Sequence, residues 1–211
     1  ENSNWKFYQY GGIRFTNNSP VADTSAMRFQ YGVISPNPGV TQTYNAAAVS
    51  DTAGQLLFYT DAYKVWDRNH NEMPNGNGLL ASNALDAALI TPVPDHPGRY
   101  YIFYMAGEIT LLESSPNAFS LYYTVVDMTL NNGMGDIVAG QKNVLVSANL
   151  SGAIKEVPGV DSNLWLITHD LYNTQFKVFE VSNAGVSTSP VLSNAGNGVV
   201  GFLGPLSIGG N

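Results

Sequence analysis

Apolar residues in this chain come in short runs, and the runs alternate or sit between turn residues. Trp5 to Tyr10 and Ile13 to Phe15 flank Gly11-Gly12, and Ala46 to Ser50 leads through Asp51-Thr52-Ala53-Gly54 to Leu56 to Thr60, then Tyr63 to Trp66. Ala87 to Thr91 precedes a Pro-rich turn, Tyr100 to Met105 and Phe119 to Asp127. Ala153 to Val157 leads through Pro158 to Asn163 into Leu164 to His169 and then Phe176 to Val181. Such runs, bounded by Gly, Pro, Asn and Asp, are the signature of strands joined by turns. Gly11-Gly12 predicts a two-residue hairpin loop, because both positions tolerate φ > 0. Helical spacing is nearly absent: Leu79 to Ile90 is bracketed by Gly76, Gly78 and Pro92 and holds at most a helical turn.

The runs share one grammar. A small-residue strand (Ala46 to Val49, Ala87 to Ile90, Ala153-Ile154) comes first, then a polar turn, then an aromatic-rich strand (Leu56 to Tyr59, Tyr100 to Phe103, Leu164 to Ile167). A third strand closes each unit, and the period of about 45–60 residues is near that of propeller blades. Small side chains suit an innermost strand where blades converge, and bulky ones suit the strand packed between sheets. The pattern predicts an all-β fold of β-propeller-like blades of antiparallel strands, forming an incomplete propeller. A β-sandwich is the alternative.

The expected organisation is a single all-β domain over 1–211: an N-terminal hairpin and connection at 1–45, blade-like units at 46–86, 87–152 and 153–196, and the start of a further blade at 197–211. The core is expected to hold Leu57, Tyr59, Trp66, Tyr101, Phe103, Val125, Trp165 and Ile167. The edge near Leu206 and Ile208 should pair with further blades from a longer parent chain or another chain, since closure is what protects sheet edges.

Composition narrows the function. Only 12% of residues are charged, the net charge is −7, and the nine Lys and Arg are scattered singly. Nucleic-acid binding needs basic charge gathered on one face, so no nucleic-acid partner is expected. No apolar run approaches the ~20 residues that span a bilayer, so no membrane insertion is expected. With no cysteine, disulfides and thiolate chemistry are excluded. The start at Glu1 rather than Met is read as a mature N-terminus.

The block Ser50 to Asp61, with Val65-Trp66-Asp67-Arg68-Asn69-His70, Met73-Pro74-Asn75-Gly76 and Gly78-Leu79, resembles propeller-like N-terminal regions of large secreted Bacteroidetes proteins. Tyr100 to Phe103, Tyr123 to Met128, Leu130-Asn131, Gly133 to Asp136, Trp165 to His169 and the Trp5 to Tyr8 strand extend the likeness along most of the chain. That family is described as gliding-motility-associated or adhesin-like, and its members often end in a sorting domain for type IX secretion, so the resemblance implies export by that route for a longer parent protein. The resemblance implies a secreted or cell-surface location. Tyr63-Lys64 departs from it, standing where a Gly-containing turn is more usual. Asp51-Thr52-Ala53 resembles the short O-glycosylation acceptor of these bacteria, which implies Thr52 as an acceptor; a plain hairpin turn is the other reading.

Several constellations invite chemistry. Asp67, Asn69 and Asn71 alternate as in the first half of a calcium loop, making them metal-ligand candidates. An EF-hand would need Gly sixth and Glu twelfth, and those positions hold Glu72 and Gly78. Turn chemistry is the preferred reading. His70, His96 and His169 lack a G-x-S-x-G nucleophile or an H-E-x-x-H motif to serve. Asp61, Asp127 and Asp170 lie near strand ends, where glycosidase carboxylates could be placed. Trp66, Trp165, Tyr59, Tyr101 and Tyr122 could stack on sugars but fit the core. Tyr8, Tyr10 and Tyr172, nearer loops, are the ligand-contact candidates. No catalytic residue is assigned and no cofactor is expected. The expected function is a non-catalytic binding or display module recognising protein or glycan, the alternative a carbohydrate-active hydrolase or lyase with carboxylates on propeller loops.

Overall fold

The computed structural model describes residues 4–7, 11–16, 19–23, 47–81, 88–107, 118–171 and 173–194. The chain is all-β and its strands pair antiparallel. Among the described residues the one helical element is a 3-10 turn at Asn131–Gly133. A first sheet joins β1 (Asn4–Phe7), β2 (Gly11–Thr16) and β3 (Ser19–Asp23) in that order. Here Gly11 and Gly12 pair with Phe7 and Lys6. They are strand residues, not the hairpin loop that the sequence predicts. A Gly pair accepts extended backbone as readily as a turn, so the local sequence does not choose between them.

The second sheet is a meander of β4 (Ala47–Ser50), β5 (Leu56–Thr60), β6 (Lys64–Asp67) and β7 (Glu72–Asn77). The third begins with β8 (Ala88–Pro92), β9 (Arg99–Ala106), β10 (Phe119–Asp127) and the short β11 (Asp136–Ile137). It continues through β12 (Val144–Pro158), β13 (Leu164–Asp170), β14 (Gln175–Ser182), β15 (Gly185–Val186) and β16 (Val191–Asn194), in the order β15-β14-β13-β12-β10-β9-β8. β11 and β16 lie off that path, on β10 and β14.

β9 shows why these pack as layers. Tyr101, Phe103 and Met105 enter one core with Leu121, Val125, Leu166, Phe179 and Val181. Their alternates Ile102 and Tyr104 enter a second core with Phe58, Val65, Met73 and Leu79 of the β4–β7 region. Both faces of β9 are therefore covered, which accounts for its unbroken apolar run. Each fully buried side chain of this size contributes about 1.5–3 kcal/mol.

The first of these cores closes because the large sheet curls at β12. The first half of β12 pairs with β10 (Phe119↔Leu150 to Tyr123↔Val144), and the second half pairs with β13 (Ile154↔Thr168 to Pro158↔Leu164). Between Leu150↔Asp170 and Ile154↔Thr168 the register shifts, so Ser151, Gly152 and Ala153 face the single residue His169. Asn149 (φ 60) and Gly152 (φ 88) turn the backbone there. Extra residues on one strand bend it and increase its twist. Across the bend, Thr91 Oγ1 of β8 donates to Glu156 Oε2 of β12 although β9 and β10 lie between these strands in the sheet, and Asn183 Nδ2 of the β14–β15 turn reaches Asp95 Oδ2 of the β8–β9 turn at 3.3 Å. The Phe119 ring fills the bend between two glycines, since a Cβ on Gly107 would lie 2.8 Å from its Cδ1 and one on Gly152 would lie 2.9 Å from its Cδ2.

Tyr59, Trp66, Tyr101, Phe103 and Val125 are buried as the sequence predicts. Leu57, Trp165 and Ile167 are only half-buried. In β13 the side chains that enter the core are Leu166 and Thr168, and Trp165 and Ile167 point to the opposite face. Leu57 stands next to the start of β5, close to the exposed β4–β5 turn. Leu206 and Ile208, and most of the Leu79 to Ile90 stretch beyond Ala81, lie outside the described residues.

Candidate functional site

The acids at strand ends share one local design. Asp51 Oδ1 accepts the N–H groups of Ala53 (2.9 Å) and Gln55 (2.8 Å). Asp61 Oδ1 accepts those of Tyr63 (2.9 Å) and Lys64 (2.8 Å). Asp67 Oδ1 accepts those of Asn69 (2.8 Å) and Asn71 (2.9 Å). Asp127 Oδ1 accepts the Thr129 N–H at 2.9 Å and the Thr129 hydroxyl at 2.6 Å. A strand that turns sharply leaves backbone N–H groups without ladder partners, and a short Asp side chain satisfies them locally.

The metal candidates fall within this design. Asn69 and Asn71 offer Asp67 their backbone donors, and the Asn69 amide nitrogen reaches Met134 Sδ at 3.4 Å. His70 takes φ 65 to complete the turn. Among the described residues no three His, Asp or Glu side chains gather closely enough to hold a metal ion.

Of the three acids that the sequence offers to a glycosidase, Asp61 directly follows β5, and Asp127 and Asp170 are the last residues of β10 and β13. Each is engaged where it stands. Burial pushes the Asp127 carboxyl up, but the Thr129 bonds and the Arg99 guanidinium, 2.7 Å from Oδ2, outweigh it and hold the group below its ordinary value. Asp170 pairs with Lys177 at 2.8 Å. Its neighbour His169 is buried, with the Phe176 ring edge-on at 4.7 Å and Nδ1 without a hydrogen-bond partner. Ser151 Oγ, in the bulge opposite, is buried in the same state. His96 Nδ1 lies 2.9 Å from the Pro94 carbonyl, a loop contact.

No family model, curated protein or solved structure matches this chain.

Of the proposed aromatic platform, Tyr59 and Trp66 stack on each other at 5.2 Å inside the protein, and Tyr101 is in the core. Tyr122 is half-buried against Tyr104, and Trp165 is half-buried on the outer face of β13. Tyr8, Tyr10 and Tyr172 lie outside the described residues. Thr52 is exposed at the tip of the β4–β5 turn, its loop held by Asp51. Large apolar side chains are exposed at Val160, Val191, Leu192 and Leu145.

Nothing in the sequence singles out Glu156. Lys155-Glu156 in an alternating strand reads as a solvated pair, yet the bend at the bulge turns Glu156 toward Thr91. Burial raises its carboxyl above the ordinary value, against the opposing effects of the Thr91 bond and Lys155. Only the register shift reveals this, and a register shift is a property of two strands together.

Proposed function

We propose that this chain is a non-catalytic extracellular or cell-surface module of a secreted bacterial protein, recognising protein or glycan. The observation that supports this is the use made of the strand-end carboxylates. A glycosidase needs an acid and a base or nucleophile whose oxygens are offered to substrate. Asp51, Asp61, Asp67 and Asp127 instead each spend an oxygen on two donors of their own loop, and Asp170 faces Lys177. The likeness to type IX secretion substrates supports the secreted setting, with further blades of a longer parent or another chain as neighbours. In that setting exposed Thr52 is the proposed O-glycan acceptor.

Incubating the purified chain with a panel of plant, algal and bacterial polysaccharides tests the reading. The expected result is no release of reducing ends or unsaturated products. Asp61→Asn, Asp127→Asn and Asp170→Asn should then change only stability. Turnover that any of these three substitutions abolishes would overturn it in favour of a hydrolase or lyase.

A further inference from the structure

The outer face of β12–β14 carries a large aromatic ring beside a fixed carboxylate. Trp165 lies between Val157 and Glu180 across the ladder, and Ile167 lies beside Val178 in the next row. All five side chains are partly exposed. At the Trp165 end the β12–β13 turn is pinned by Gly159 N–H to the Asn163 carbonyl (2.8 Å) and Asn163 N–H to the Val160 carbonyl (2.9 Å). Asn163 Nδ2 donates to Glu180 Oε1 at 2.8 Å. Gly159 lets the indole sit close, since a Cβ there would lie 3.1 Å from Trp165 Nε1.

We propose that this face is a glycan-binding platform, with Trp165 as the stacking surface and the Glu180–Asn163 pair as the hydroxyl acceptor. The inference rests on the binding-module reading and names its ligand class. Sugars present an apolar C–H face and a rim of hydroxyl donors, which calls for a ring beside fixed acceptors. The bond to Asn163 fixes the Glu180 carboxylate and leaves Oε2, with the Asn163 Oδ1, for those hydroxyls. A stacked sheet from another polypeptide is the poorer occupant, because it would bury the Glu180 carboxylate with only the one Asn163 amide against its charge, and the Lys155 ammonium of the same face with it. A hydrated ligand leaves both wet.

The test is titration of the full chain with cello-, xylo-, manno- and chito-oligosaccharides, following the Trp165 indole N–H resonance and the heat of binding. One series should shift that resonance saturably. Glu180→Gln and Trp165→Ala should each weaken binding by roughly tenfold or more, while Leu145→Ser, on the β10-paired half of β12, leaves it unchanged. Where Trp165→Ala proves unstable, Trp165→Phe and the wild-type resonance decide. No saturable shift with any series, or binding indifferent to Glu180 and Trp165, overturns the platform and leaves the non-catalytic reading standing. Binding at Trp165 accompanied by turnover would do the reverse, keeping the platform and refuting the non-catalytic reading.

Discussion

Gly152→Ala is the sharpest probe of how the large sheet bends. The residue has φ 88, a conformation that L side chains rarely adopt, and its new Cβ would lie 2.9 Å from Phe119 Cδ2 and 3.0 Å from Cε2. Phe119 has no room to retreat, because Gly107 presses the ring's other edge and Leu150 and Leu121 share its core. The left-handed backbone costs about 1–2 kcal/mol, and forcing a methyl group into a filled core costs about 1–3 kcal/mol more. Gly140 separates the two costs. Its φ is 75, yet nothing lies within 4 Å of the point a Cβ would occupy, so Gly140→Ala should carry only the backbone part. Urea denaturation of both variants beside wild type should place Gly152→Ala about 2–5 kcal/mol below wild type and Gly140→Ala about 1–2 kcal/mol below it. In a chain of this length each kcal/mol lowers the melting temperature by about 2–4 °C. Equal losses in the two variants would refute the packing of Phe119 between Gly107 and Gly152.

Glu156→Gln should change the pH dependence of stability. The folded carboxyl is raised above 4.5, so its stabilising contribution is complete below that value and is lost as pH rises through the folded pKa. Denaturation at about pH 4 and about pH 7 should show the variant gaining on wild type only at the higher pH, and a constant difference would refute the buried setting. Trp66→Ala should cost about 3–5 kcal/mol and the half-exposed Trp165→Ala roughly half of that or less, as read by thermal melting; equal losses would contradict their placement on opposite sides of the burial divide.

The strand content and the turn role of the acids were legible because both are local. Asp51, Asp61 and Asp67 each precede the residues whose N–H groups they accept, and that spacing is visible in the chain. The phase of β13 was not legible. Leu164-Trp165-Leu166-Ile167 is apolar on both faces, so alternation cannot say which pair points inward. That ambiguity placed Trp165 in the core and hid its pairing with Glu180, a residue fifteen positions away whose partner only the ladder supplies. The bulge at Ser151 to Ala153 was equally hidden, since an extra residue in one strand has no meaning until its partner is known.

β12 carries its β10-paired half and its β13-paired half in one strand, so the passage from one to the other is the bulge at Ser151 to Ala153 and not a linker. Leu150 is in register with Phe119 of β10 and with Asp170 of β13 at once, so separating the two halves at the bulge would have to break the ladder on one of those strands. The two halves should therefore exchange their amide protons with solvent as one cooperative block rather than separately. A tensile load carried along the backbone through this region would meet a zipper anchored on both flanks instead of a hinge.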